Sequence, residues 1–560
     1  MERLVSGLEL RKEIVVRLKL RYVVSVTGIL FLSVVVAQAQ SSTVVPPSSK
    51  FVPSSEISSA PPKAETSNRD EPKLSECEKA LLDRIDLLEK RLAEVEGLVK
   101  KPAVEAAAVA TTKTPTQVDL ASDTAPAITP IEKPVQAEAK KKAEPFAFAD
   151  WSWLNGNART KELAMDTPFF TPEIRFDVNY TSSFNHPKDN TIGGSSEVFR
   201  SGEVQITQIG VGGDFHYNNV RGRLMTQLGM YSQTTPRNDA SPGRGQWNLD
   251  NAYRYISEAY GGYHIDKLHG INVDAGIFMS YIGLASYYQF DNWTYQPSYV
   301  SSNTPWFFNG LRVQIFPTEK LKIEPWIING WQSYGKFNKA PGIGGQVLYR
   351  PNAKTSIVLN NYWGSDTLGN PGRKRTHTDD SIQYKYYDNK DKTLDKAAFT
   401  FTVDAGCEYG GGVSCSGKAG APAQYFLGFM AYNRFWFKQD RFALTLGGGA
   451  ITNPGRYLVL IPPINGATAF SGTPYFTANP GDQYRAYDGS ITFDYMPSQY
   501  ITFRTEYNQR GANVPYFSGS GGVTPPGGNV FGAPGSLVPG WAPDLVKQER
   551  RYTMAVLVKF

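Results

Sequence analysis

Twelve ionisable residues fall on polar positions between apolar neighbours after residue 220 of the chain: Arg221, Arg223, Arg254, Glu258, Asp274, Arg312, Lys322, Glu324, Arg434, Asp494, Arg504 and Glu506. Their chemistry is electrostatic rather than covalent. Side chains of both signs around a wet passage set a transverse field that orients hydrated solutes and discriminates ions. Taken singly, each is more simply a solvated or salt-bridged wall position, and the mixture of signs leaves ion preference open. A second group, Tyr287, Tyr288, Trp293 and Tyr295, lies in a stretch rich in Tyr, Asn and Ser, whose aromatic faces could narrow such a passage or cap its rim. Enzyme chemistry finds little support. The histidines at 186, 216, 264, 269 and 377 lack metal-ligand spacing, and no nucleophile-elbow, phosphate-loop or dinucleotide pattern occurs. No catalytic, metal or cofactor-binding residue is expected, and no cofactor; His264 with Ser280 is the one pair worth locating.

Those charges need elements that show one face to water and the other to hydrocarbon. After Trp151 the chain supplies them: Ile174, Phe176, Val178 and Tyr180 alternate with Arg175, Asp177 and Asn179, and similar runs of about ten residues recur to the end. Short connections are expected at Asn218-Asn219 and near 267–270, 317–320, 350–354, 389–392, 438–440 and 497–499. Long polar loops are expected near 182–201, 232–251, 284–305, 333–341, 365–380, 406–423, 452–485 and 511–548. Connections sorted into two length classes are what a membrane barrel requires, whereas a propeller or sandwich gives no reason for the sorting. The expected fold is all-β: a transmembrane antiparallel barrel of about 16 strands over 151–560. Its even strand number leaves both chain ends on one side.

Composition agrees. Aromatic residues make up 13% of the 560 residues, with 31 Tyr, 30 Phe and 52 Gly, a strand-and-turn profile. Mean hydropathy of −0.35 does not exclude a membrane barrel, which shows lipid only every second residue. The N-terminus is basic at Arg11, Lys12, Arg17, Lys19 and Arg21, apolar from Tyr22 to Val36, and reaches Ala37-Gln38-Ala39, so residues 1–39 read as a signal peptide. Residues 40–72 read as a disordered Ser/Pro-rich tether. Leu74, Cys77, Leu81, Ile85, Leu88, Leu92, Val95 and Val99 form the seam of a coiled coil over 73–100, which points to self-association, a trimer suiting a barrel of this kind. Residues 101–150 read as an Ala/Pro-rich linker. No globular plug or passenger domain is expected ahead of the barrel. Export favours a disulfide between Cys407 and Cys415, which flank a Gly-rich stretch.

The last strand carries Tyr552, Met554, Val556, Val558 and Phe560 and resembles the C-terminal signal by which the barrel-assembly machinery recognises its clients. Trp306, Trp326, Trp331, Trp363 and Trp436 are expected to supply interfacial aromatic girdles. Arg373-Lys374-Arg375 is a basic patch suited to lipopolysaccharide phosphates rather than nucleic acid. Glu258 to Tyr263 (EAYGGY), Ala275 to Gly283 (AGIFMSYIG), Pro305 followed by Asn309-Gly310-Leu311, and Ile328-Asn329-Gly330-Trp331 punctuate the stretch from Glu258 to Gly364. By these motifs the stretch resembles the OmpL-like β-barrel porin-2 family, with weaker resemblance over the whole region after Trp151. It implies an outer-membrane pore for passive diffusion of small hydrophilic solutes, with the coiled coil in the periplasm. The competing expectation is a structural anchor whose coiled coil binds peptidoglycan or a periplasmic partner.

Overall fold

The computed structural model describes residue 90 and residues 144–419, 422–455, 483–525 and 540–560. The expected signal peptide, tether, coiled-coil seam with Cys77, and most of the linker lie outside the described residues.

Alternating apolar and polar positions produce long antiparallel strands that close on themselves. The wall begins with β1 (Phe170–Ser183), β2 (Val204–Tyr217), β3 (Val220–Thr226), β4 (Ile256–Ile265) and β5 (Ile271–Met279). It continues through β6 (Phe307–Thr318), β7 (Leu321–Ile328), β8 (Gly342–Asn352), β9 (Thr355–Gly364) and β10 (Lys374–Asp388). Then follow β11 (Leu394–Tyr409), β12 (Tyr425–Phe437), β13 (Phe442–Asn453), β14 (Tyr484–Ser498) and β15 (Ile501–Ala512). Two short strands, β16 (Phe517–Ser518) and β17 (Leu545–Val546), pair with each other within a loop, and β18 (Gln548–Lys559) completes the ring between β15 and β1. Sixteen strands thus form the closed barrel. At the seam the backbone of Ile174 exchanges hydrogen bonds with that of Phe560, 3.2 and 2.9 Å.

Connections β2–β3, β4–β5, β6–β7, β8–β9, β10–β11, β12–β13 and β14–β15 are tight, and the eight on the other side are long, as the sequence requires. At Asn218 and Asn219 both φ angles are positive, 46° and 68°, the backbone that a two-residue hairpin needs and that asparagine tolerates. The two ends are called the short-turn end and the long-loop end below.

Parity then decides what each side chain meets. Phe176, Phe215, Leu224, Ile327, Leu359, Phe401, Phe429, Ile491, Phe503 and Met554 face outward as an apolar belt. Their neighbours in the opposite phase, among them Arg175, Asp177, Thr402, Asp494 and Thr553, face inward and are buried. Charge on the outer belt is penalised because it has only hydrocarbon around it. Phe401→Arg, near the middle of β11, is expected to lower folding stability by about 2–4 kcal/mol, read as a shifted urea midpoint for folding into lipid vesicles. An unchanged midpoint would place that face in water.

The tryptophan expectation needs correcting. Only Trp363 stands outward, while Trp306, Trp326, Trp331 and Trp436 are buried inside. The cause is parity and cation–π contact: Trp326 shares the phase of Lys322 and Glu324 and lies under Arg312, Trp331 lies under Arg375, and Trp436 under Lys396 and Arg434.

Candidate functional site

Eleven of the twelve predicted lining residues lie on inward positions of β3, β4, β5, β6, β7, β12, β14 and β15. Arg254 instead lies in the β3–β4 loop, 4.0 Å from Asp250. Ten of the eleven fall into separate ion-pair groups, and Glu506 instead accepts hydrogen bonds from backbone N–H groups and from Thr492. On one wall Arg223 donates to Asp214 (2.7 Å), Glu258 (2.9 Å) and Glu173 (3.2 Å). Beside it Asp274 lies between Arg221 (3.3 Å) and Arg312 (3.0 Å), and Arg312 covers the rings of Tyr260 and Phe278. Lys322 pairs with Glu324, which also accepts from Gln314 at 3.3 Å.

The opposite wall holds Arg434, Asp494, Arg504 and Glu506. Strand register explains their meeting: Arg434, Thr445, Thr492, Glu506 and Thr553 form one transverse row across five strands, and Asp494 sits opposite Arg504 in the next. Asp494 accepts from Arg434 and from Arg504, each at 2.7 Å.

What these groups bind is the loop between β5 and β6. Instead of leaving the barrel, residues 280–306 cross its lumen and are buried over most of their length. Arg504 donates to the carbonyls of Gln289 (3.1 Å), Asn292 (2.6 Å) and Thr294 (2.8 Å), and Arg434 donates to that of Trp293 (3.1 Å). Glu506 accepts the backbone N–H groups of Tyr295 and Gln296, 2.6 and 2.9 Å. Ser298 donates to Asp488 at 2.7 Å. A Cβ at Gly449 would lie 2.4 Å from Ser298 Oγ, so only glycine lets the loop approach β13 this closely.

The four predicted loop aromatics are all buried. Tyr288 stays near its own wall, donating to Glu258 (2.7 Å) beneath the Arg175 guanidinium, and Tyr287 donates to Gln227 (2.6 Å). Trp293 meets Trp436 edge to face at 5.5 Å, and Tyr295 donates to Asp177 (2.8 Å) across the lumen.

A second internal element was not legible as such. The residues before β1 run across the short-turn end as a strap. Phe146 N–H donates to Glu319 (2.7 Å) in the β6–β7 turn, Asn155 N–H to Gln383 (2.8 Å) on β10, and Arg159 to Ser498 (2.8 Å) and Thr502 (2.9 Å) at the β14–β15 turn. Arg350 lies over Phe146 and Trp151, and Trp153 is buried. The strap also touches the loop above it: Trp293 donates its backbone N–H to Asn155 (2.8 Å) and its indole N–H to the Trp153 carbonyl (3.2 Å). Gly156 has φ +82°, and a Cβ there would lie 2.4 Å from the Leu284 carbonyl oxygen.

The loop between β1 and β2 contributes a third piece. Its Glu197 is fully buried, held by Ser196 and Gln296, while Arg510 ties the carbonyls of Gly194 (2.6 Å) and Pro297 (3.0 Å) together. Arg510 and Arg551 escaped the sequence list, although each shares the phase of an inward neighbour, Asn508 and Thr553. Burial pushes the Glu197 carboxyl from its usual 4.5 up to about 7, against Ser196, Arg510, Arg551 and Gln296, which favour the charged form. With the packed-state value raised, the packing of this loop is strongest below 4.5 and weakens as pH rises through about 7. Channel noise is therefore expected to grow over that window and to lose its pH dependence in Glu197→Gln. Persistent pH dependence in that variant would assign the effect to another group.

Elsewhere, Cys407 and Cys415 are bonded, with Cα atoms 5.3 Å apart. In the basic patch Arg373 and Arg375 both pair with Glu408, and Lys374 lies over Trp363. His264 bonds to Asn272 (2.7 Å) and Asp266 (3.1 Å) at the short-turn end, whereas Ser280 follows β5 at the long-loop end. A strand of that length is about 30 Å long, so the two form no catalytic pair. Tyr552 faces outward on β18, and Phe560 stacks on Tyr500 at 5.8 Å.

Comparison with known proteins adds the following. No curated protein matches the sequence. Similar solved structures include the trimer form of OmpT, an outer membrane protein of Vibrio cholerae, at 8% identity, 70% of this chain, 100% of that chain and TM-score 0.40. The outer membrane channel DcaP of Acinetobacter baumannii gives 12%, 72%, 100% and 0.38, and Salmonella typhi OmpF in complex with daunomycin gives 8%, 70%, 97% and 0.38. The family rests on the sequence: residues 176–533, most of the sixteen-strand wall and the whole lumen-crossing loop, match one family description, and the chain belongs to the β-barrel porin-2, OmpL-like family of the outer membrane.

Proposed function

We propose that this barrel passes small hydrophilic solutes by diffusion along its charged lumen, with loop 280–306 setting the cut-off size. The observation that carries this reading is the loop's anchoring: Arg434, Arg504 and Glu506 hold it to the wall opposite its origin, so it narrows the passage from within a rigid cylinder. The twelve predicted residues act in this reading as the field-setting wall, with Arg254 at its long-loop rim. Tyr287, Tyr288, Trp293 and Tyr295 form the constriction. The short-turn end faces the periplasm, where a coiled coil over 73–100 holds three barrels together. Tyr552 and Phe560 present the last strand to the assembly machinery, and the outer belt meets lipid and lipopolysaccharide.

Single-channel recording of the purified full-length protein tests the reading. Discrete conductance is expected, in groups of three steps that become single steps once residues 40–100 are removed. Absence of any conductance would overturn the pore and favour the anchor, a role that the combined packing of strap and loop would also suit.

A further inference from the structure

Three arginines from three separate segments converge at the short-turn mouth: Arg159 of the strap, Arg434 of β12 and Arg504 of β15. They line a cavity of about 20 Å³ between strap and constriction loop, together with Phe290, Trp293 and Met496. That is room for about one water, or for a single oxygen of an anionic head entering from the recess beside it. It shares Arg159, Trp436 and Met496 with a wider recess of about 460 Å³, where Lys161, Lys438 and Arg441 add positive charge and the acid Asp440 is paired with Lys396. One acid lines the small cavity, Asp291, and it is engaged by Arg175; Asp494, outside the lining, is engaged by Arg434 and Arg504.

Two donors remain over. Among the described residues, Nε of Arg159 and Nε of Arg434 are buried and make no hydrogen bond, although Arg434 is only 4% exposed. Burial pulls the Arg159 guanidinium down to about 10, with Asp494 opposing the shift and Arg434 and Arg504 adding to it. Two guanidinium groups lining one cavity, each with an unbonded Nε–H, are matched by a carboxylate, whose oxygens accept from such donors. The apolar wall of Phe290, Trp293, Trp436 and Met496 suits an organic body attached to that head.

We propose that this mouth cavity is a binding subsite for small organic carboxylates, the head held by Arg159 and Arg434 and the body lodged in the wider recess against Trp436. As a route preference it rests on the pore reading; as a binding site it does not. The experiment is titration calorimetry of the purified full-length protein with benzoate, with benzamide as the uncharged probe and inorganic phosphate as the anion without a body. Saturable benzoate binding is expected, about tenfold weaker in Arg159→Gln and largely recovered in Arg159→Lys, with benzamide and phosphate bound at least tenfold more weakly. Equal affinity for benzoate and benzamide, or benzoate affinity indifferent to Arg159→Gln in protein of unaltered circular dichroism, would overturn the subsite. Tighter binding of phosphate than of benzoate would overturn the assignment to organic carboxylates. Conductance recorded in parallel separates the two claims, since benzoate binding without conductance defeats the pore and leaves the subsite standing.

Discussion

Arg504→Ala is expected to raise single-channel conductance several-fold while the barrel stays folded. The Arg504 side chain is buried and uses its donors on Asp494 and on three loop carbonyls, those of Gln289, Asn292 and Thr294. Truncation leaves a buried carboxylate with Arg434 as its one remaining guanidinium partner, and leaves the carbonyls without that donor. Breaking one side of a buried ion pair costs about 3–5 kcal/mol, and each orphaned acceptor adds about 1–3 kcal/mol. The loop recovers much of this by moving its carbonyls to water, which means leaving the far wall. The β14–β15 ladder does not depend on the side chain, so the wall survives. Arg504→Lys keeps the charge and loses the planar fork, and should fall between the two. Bilayer recordings with heat-modified gel mobility as the folding check would settle it. Wild-type conductance in folded Arg504→Ala would show that the loop is held by something else.

The barrel itself was legible because a period of two carries both halves of the answer: which residues meet lipid, and where the chain must turn. Trp326 and Trp436 were placed wrongly by residue type, yet their phase with Glu324 and Arg434 already located them inside. Pairing was harder. An unbroken hairpin through Ser498 and Ile501 would set Asp494 opposite Thr505, and a register shift between Tyr495 and Ser498 brings Arg504 there instead. Nothing in the sequence announces that shift. The approach of the third long loop to β13 had a signal in Gly447-Gly448-Gly449, of which Gly449 removes the side chain from the point that Ser298 of the loop must touch. The strap had only composition to show for itself. Phe146, Phe148, Trp151 and Trp153 crowd a stretch without alternation, and packing against a curved inner surface leaves no fixed period.

Trp153→Ala should release the strap and widen the short-turn mouth, a larger effect than any single polar change there. Its indole is 1% exposed and packed within the cluster that includes Trp151, Leu154 and Trp293, with Lys385 over its ring. Removing a buried Trp side chain costs about 3–5 kcal/mol. A neutral hydrogen bond such as that from the Trp293 N–H to the Asn155 side chain contributes about 0.5–1.5 kcal/mol net. The strap crosses the mouth as an irregular segment held at a few points, so loss of its main apolar anchor is not shared along a ladder as it would be in a strand. Arg159 and Lys161 lie at the far attachment, and freeing them should expose the chain to trypsin from the short-turn side. The variant is therefore expected to conduct more and to be cut after Arg159 or Lys161, while Asn155→Ala changes both only slightly. Were Trp153→Ala to retain native conductance and resist trypsin, the polar contacts at Gln383 and Ser498 would have to be the strap's true hold. The carboxylate subsite would then be fixed by the turns rather than by the aromatic cluster above it.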